Sequence, residues 1–363
     1  MSPSKKSKFK LFNTISWTII AMLLIYISNI GENVMATVNK DKKECMSVKK
    51  GNELMACYFS LNYMTNNEEF FISDSAAKSE ETDEHMDEKK DKITKVIATK
   101  SPKVENEKVN ELLENREYEY LKNHFYIVDS STSVTSSLLD PDKLIKKDVS
   151  IKKDKTKPQI LIYHTHSSEK YCDSEDGNVD DTVVGVGEYL TSLLEEKGYN
   201  VMHDLSSYDV IDGKWNRNAY ETALVSLENI MKENPSIQVT IDLHRNSGEE
   251  KAVTTINDKK TAQIMFFNGV SRTRTGKRSY LKNKNLSSNL AFSLQAQLMG
   301  LETYPGLCKN IYIKGYRYNL HIAQRSMLIE VGNDKNTVKE AKNAMIPFSD
   351  ILTRILEGEK VTD

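Results

Sequence analysis

The sequence predicts an α/β domain with a mainly parallel sheet flanked by helices. Two observations predict it. Short apolar runs alternate with segments whose apolar residues recur at helical spacing. The ends of three of those runs also carry polar residues of a kind that does chemistry, where open α/β sheets place their sites.

The elements follow in order. Gln159–Tyr163 (QILIY) is a short apolar run and reads as a buried strand. Val183, Val186, Leu190, Leu193 and Leu194 fall on one helical face, and Gly198 stands where a helix stop belongs. Tyr199–His203 is a second strand. Tyr220, Ala223, Leu227 and Ile230 mark a helix closed by Pro235, and Ile237–Leu243 (IQVTIDL) is a third strand. Ala262–Phe267, Ile311–Ile313 and Ser326–Val331 (SMLIEV) are further strands, with a helix over Leu286–Met299. A last helix starts near Thr337, where Thr337 and Glu340 fit a capping box, and ends around Gly358. The domain covers 157–358.

Composition narrows the class. Of 363 residues, 28% are charged and 39% hydrophobic, which excludes a polytopic membrane protein and a wholly disordered chain. Net charge is −2, so nothing global calls for nucleic acid. Four cysteines, at 45, 57, 172 and 308, form no CxxC, which argues against a cysteine zinc site.

The N-terminus sets the compartment. Lys5, Lys6, Lys8 and Lys10 precede Leu11–Gly31, a stretch without a charge. About 20 apolar residues span a bilayer core of about 30 Å, with the lysines on the cytoplasmic side. Residues 1–31 are therefore read as a cytoplasmic tail and a single transmembrane helix, with the bulk of the chain extracytoplasmic at the cell membrane. The alternative is a signal peptide cut near Val34–Ala36. Residues 32–156 read as a partly disordered linker region. It holds the acidic run Glu80 to Glu88 and seven lysines within 139–157, although 111–128 suggests a helix and then a strand.

Three strand ends concentrate the chemistry. The first ends in His164-Thr165-His166-Ser167-Ser168-Glu169, another in Asp242-Leu243-His244-Arg245, and a late one in Glu330. Imidazoles with a carboxylate are the donors and base of a catalytic zinc site with one position open to water. His85 and His124 lie outside the domain, His203 is a reserve ligand, and His321 reads as structural. Tyr312, Tyr316, Arg317 and Tyr318 form an aromatic, basic stretch that suits either a sugar-binding groove or a strand edge.

YHTHSSEKY (163–171), DLHR (242–245), YPGL (304–307) and LIEVGNDKNT (328–337) resemble the stage II sporulation protein P family of endospore-forming bacteria. That family resembles the zinc-dependent N-acetylmuramoyl-L-alanine amidases. The resemblance implies an amidase-like fold and a membrane-anchored enzyme that strips stem peptides from peptidoglycan during engulfment, with endopeptidase activity on cross-links. It implies stage II sporulation proteins D and M as partners. It implies zinc on His166 (or His164) and His244, with Glu330 as general base. The middle ligand is Glu169, with Asp180 or Asp181 as alternatives. Arg245 is expected either to pair with stem-peptide carboxylates or to form a structural salt bridge. Asn246 departs from the family's usual Asp and keeps only a neutral acceptor. A non-catalytic wall-binding module and another zinc hydrolase, such as a carboxypeptidase, are the rival readings.

Overall fold

The computed structural model describes residues 100–361. The expected membrane stretch Leu11–Gly31, the acidic run and two of the four cysteines lie outside them. Among the described residues no helix is long and apolar enough to cross a membrane.

Folded structure begins well ahead of residue 157. Helices α1 (Glu107–Asn115) and α2 (Tyr118–Phe125) run into strand β1 (Tyr126–Val128), and α3 spans Pro141–Lys146. Asn106 caps α1 by accepting from the Val109 amide, and Asp140 caps α3 by accepting from the Lys143 amide, with Pro141 in the first turn. This corrects the linker reading of 100–156. The lysines of 139–157 lie mainly on the surface, while Leu144, Ile145, Val149 and Ile151 between them are buried.

The remaining elements are β2 (Ile160–Tyr163), α4 (Val183–Glu196), β3 (Val201–His203), a small hairpin β4 (Val210–Ile211) and β5 (Lys214–Trp215), and α5 (Ala219–Glu233). They continue with β6 (Val239–Asn246), a second hairpin β7 (Val253–Ile256) and β8 (Lys259–Ala262), and β9 (Ile264–Gly269). Helix α6 (Leu286–Thr303), β10 (Ile311–Lys314), β11 (Arg325–Asn333) and α7 (Val338–Leu356) close the chain.

Seven strands form one sheet in the order β1-β10-β9-β11-β6-β2-β3. Every pairing is parallel except β9 with β11. The mainly parallel expectation holds, as two parallel blocks that run in opposite directions. Strand β2 alternates its side chains between two cores. Ile160 and Ile162 join the large cluster under α4, α6 and α7, and Leu161 and Tyr163 join a smaller one with Ala223 and Leu227 of α5. Helices therefore cover both faces, as buried parallel strands require.

The expected capping box is present: Thr337 Oγ1 accepts from the Glu340 amide at 3.1 Å, and Glu340 Oε2 accepts from the Thr337 amide at 3.0 Å. Thr337→Ala is expected to cost about 1 kcal/mol. A drop in the thermal midpoint of about 2–4 °C would register it, and an unchanged midpoint would mean that α7 is held by packing alone.

Candidate functional site

From β2 the chain crosses to β3 on one side and later to β6 on the other. The carboxyl ends of β2 and β6 thus lie at a point where the winding reverses, where crevices form in open sheets. The loop after β2 carries His164 to Glu169, β6 carries Asp242 to Asn246, and β11 brings Glu330 opposite His244. After Glu330 the β11–β6 register shifts, and Gly332 takes φ +65. A bulge with glycine in the left-handed region bends the strand beside the site and re-aims its side chains.

His244 is buried at the centre. Its Nε2 lies 2.8 Å from Asp242 Oδ1, poorly aligned for a hydrogen bond, and its Nδ1 lies 3.5 Å from Glu169 Oε2. Burial opposes a charge on this imidazole, but the Asp242 and Glu169 carboxylates outweigh it and raise its pKa well above the usual range. The surroundings therefore favour a positive charge at this point. The His166 ring stands 5.3 Å from that of His244, centroid to centroid, and burial followed by His244's charge lowers its pKa. Glu330 completes the group. Burial, with the negative charge of Glu169 adding and His244 opposing, pushes its carboxyl up to about 7, and its buried Oε2 has no hydrogen-bond partner.

Neighbouring bonds fix these side chains. Asp242 is buried and accepts from the Thr165 amide at 2.9 Å and from its hydroxyl at 2.7 Å, locking the start of the loop. Buried Asp209 accepts from the Ser168 amide and hydroxyl and from Ser167, and reaches within 4.0 Å of His166 Nδ1. The Arg245 amide donates to Glu169 Oε2 at 2.9 Å, and its guanidinium donates to the Lys170 and Asn246 carbonyls. Arg245 thus ties the Glu169 loop to β6. Asn246 Oδ1 accepts from the Ser247 amide.

The structure brings together His166, Glu169, His244, Arg245 and Glu330. Asp180 and Asp181 sit on a 3-10 turn (Val179–Asp181), Asp180 exposed and Asp181 half-buried, where Asp181 accepts from Asn178 and Glu175. His164 is engaged elsewhere. Its Nδ1 donates to the Leu243 carbonyl at 2.8 Å, and its Nε2 is 2.9 Å from His203 Nε2. His203 Nδ1 in turn is 2.9 Å from Glu188 Oε2. The reserve ligand is thereby a buried polar brace.

Could these donors hold a metal? Among the described residues no three His, Cys, Asp or Glu side chains already converge at coordination distance. The donor chemistry nevertheless fits zinc. Two donors on one tetrahedral zinc stand about 3.4 Å apart for bonds of about 2.1 Å, which matches the 3.5 Å between His244 Nδ1 and Glu169 Oε2. Asp242 lies 2.8 Å from the far nitrogen of His244, the position where ligating histidines usually have a carboxylate.

Two contributors escaped the sequence reading. Nothing local marks Asp209. Trp215 had a signal: Asp212-Gly213 between Val210-Ile211 and Lys214-Trp215 is a strong hairpin mark, and both turn residues have positive φ, 51 and +70. The hairpin lays Trp215, 60% exposed, against His166 with nearly parallel rings.

Comparison with known proteins agrees with the motifs. The family model for stage II sporulation protein P matches residues 41–353. Stage II sporulation protein P of Bacillus subtilis (strain 168) is 26% identical over 226 residues, covering 56% of this chain and 53% of that protein. The chain therefore spans about half the length of that relative. Among solved structures, the N-acetylmuramoyl-L-alanine amidase AmiC2 of Nostoc punctiforme is 14% identical, with TM-score 0.34 over 57% of this chain and 99% of that one. The CwlD amidase from Clostridioides difficile, solved in complex with the GerS lipoprotein, is 13% identical, with TM-score 0.35 over 55% and 99%. On the extent of the family match, the chain belongs to the stage II sporulation protein P family.

Proposed function

We propose that the chain is a zinc-dependent peptidoglycan hydrolase of sporulation that cleaves the amide between the muramoyl lactyl group and L-alanine. One observation carries this reading. Glu330, with a buried, unpartnered oxygen and a carboxyl pushed up to about 7, stands opposite the His244 imidazole and near the Glu169 carboxylate. That is the condition of a general base working near pH 7.

His166, His244 and Glu169 would hold the zinc, which when bound polarises the scissile carbonyl and acidifies the attacking water. Glu330 takes the proton from that water as its oxygen bonds to the lactyl carbon. The carbon–nitrogen bond then breaks, and Glu330 returns the proton to the alanine nitrogen. Asp242 orients His244, while Arg245 and Asp209 hold the loop that carries Glu169 and His166. The family resemblance extends the reading to cross-linked stems, to engulfment, to an anchor at Leu11–Gly31 with the domain outside the membrane, and to stage II sporulation proteins D and M.

Digestion of purified wall tests it. The expected new ends are a free lactyl carboxyl and a free alanine amine in equal amounts. Release of D-alanine from stem ends would indicate a carboxypeptidase instead, and no new ends would leave a binding module.

A further inference from the structure

The two flanks of the site differ in chemistry. One is aromatic. Trp215 lies against His166, and Tyr220 stands 5.6 Å from His166 and 6.5 Å from His244, between ring centroids. Ring contacts continue outward from Tyr220 to Tyr318 at 5.2 Å and from Tyr318 to Tyr316 at 6.4 Å, and the Arg278 guanidinium covers Tyr316 at 4.2 Å. Tyr318 and Asn319 both adopt left-handed φ, 48 and 55, and Asn319 donates to the Tyr220 carbonyl at 2.8 Å. Non-glycine residues kept in this region cluster at ligand clamps. The outer end is also cationic. Residues 271–285 carry Arg272, Arg274, Lys277, Arg278, Lys282 and Lys284 and no acid, and among the described residues none of the six is ion-paired.

The other flank is a polar cavity of about 230 Å³ that opens beside Glu330. Asn246, Glu249, Glu250, Lys309 and Asn333 line it. Glu249 and Glu250 are exposed, so with Glu330 this side holds more acids than bases.

Hydrolysis of the lactyl–alanine amide creates a carboxylate on the sugar side and an ammonium on the peptide side. Sugar rings pack their C–H faces on aromatic rings, and a carboxylate-bearing glycan is drawn to unpaired cations. We propose that the glycan strand lies along Trp215, Tyr220 and Tyr318 toward Arg278, and that the stem peptide leaves into the Glu249–Glu250 cavity. This polarity rests on the amidase reading above.

Its test measures binding alone, so that it stands apart from activity. The full chain in detergent is titrated with glycan strands stripped of stem peptides, and separately with free stem pentapeptide. Trp215→Ala is expected to weaken glycan binding about tenfold and leave peptide binding unchanged, as loss of one stacked aromatic implies. Glu249→Gln with Glu250→Gln, both on the surface, is expected to weaken peptide binding about two- to fivefold and leave glycan binding unchanged. The reverse pattern, equal losses for both probes, no loss, or no binding of either probe by the unmodified chain would each overturn the polarity. The wall digest separately decides whether the amide is the bond cut.

Discussion

Glu330→Gln is expected to slow amide hydrolysis by about 10²–10⁴-fold, the usual contribution of a positioned general base. The substitution keeps the shape of the side chain and removes only its capacity to take a proton. Zinc content, measured on the same preparation, is expected to stay at the unmodified level, because Glu330 is not among the proposed ligands. Stability should change little or rise, since the native state no longer holds a carboxyl whose ionised form burial disfavours. Loss of zinc together with activity would make Glu330 a ligand and leave the base unassigned.

His244→Ala is expected to act differently and to do more harm. It removes the proposed ligand at the centre of the site, so bound zinc should fall close to zero and hydrolysis with it. It also strands Asp242, which is wholly buried and keeps only its bonds from Thr165. Removing one partner of a buried ion pair costs about 3–5 kcal/mol. Denaturant unfolding should therefore show a clear loss of stability even in metal-free protein. Retained zinc with full activity would exclude His244 from the site.

The fold from residue 157 onward was legible because its strands are short apolar runs and its helices keep one apolar stripe. Val183 to Leu194 and the Thr337–Glu340 box appear where periodicity and capping chemistry put them. The ends of β2, β6 and β11 were legible for another reason: imidazoles and a carboxylate stand out at the ends of otherwise apolar runs, although His203 at the end of β3 shows that such a residue can also serve as a brace. Residues 100–156 were misread because composition averages over faces. A lysine-rich segment looks solvated even when Leu144, Ile145, Val149 and Ile151 each reach the core. Asp209 was invisible, since its partners Ser167 and Ser168 lie some forty positions earlier and meet it only through the fold. Glu169 and the pair Asp180 and Asp181 could not be separated by sequence spacing. The fold sets Glu169 beside His244 through the Arg245 amide, whereas Asp180 and Asp181 stand on the Val179–Asp181 turn.

Strand β1 has a consequence for how the chain is made and cut. It is synthesised early, yet its partner β10 lies almost the whole domain later, with Tyr126 paired to Ile311. Until β10 emerges, buried Leu112, Leu121 and Phe125 lack their final packing, and such distant parallel pairing is intrinsically slow. The nascent chain thus carries an unpaired strand and sticky helices for most of its synthesis, a state prone to aggregation. The same geometry governs truncation. A fragment begun at residue 157 would discard β1 and α3, bare the β10 edge and lose the bond from the Ile151 amide to the Leu356 carbonyl at the end of α7. A cut ahead of residue 100 keeps that border closed.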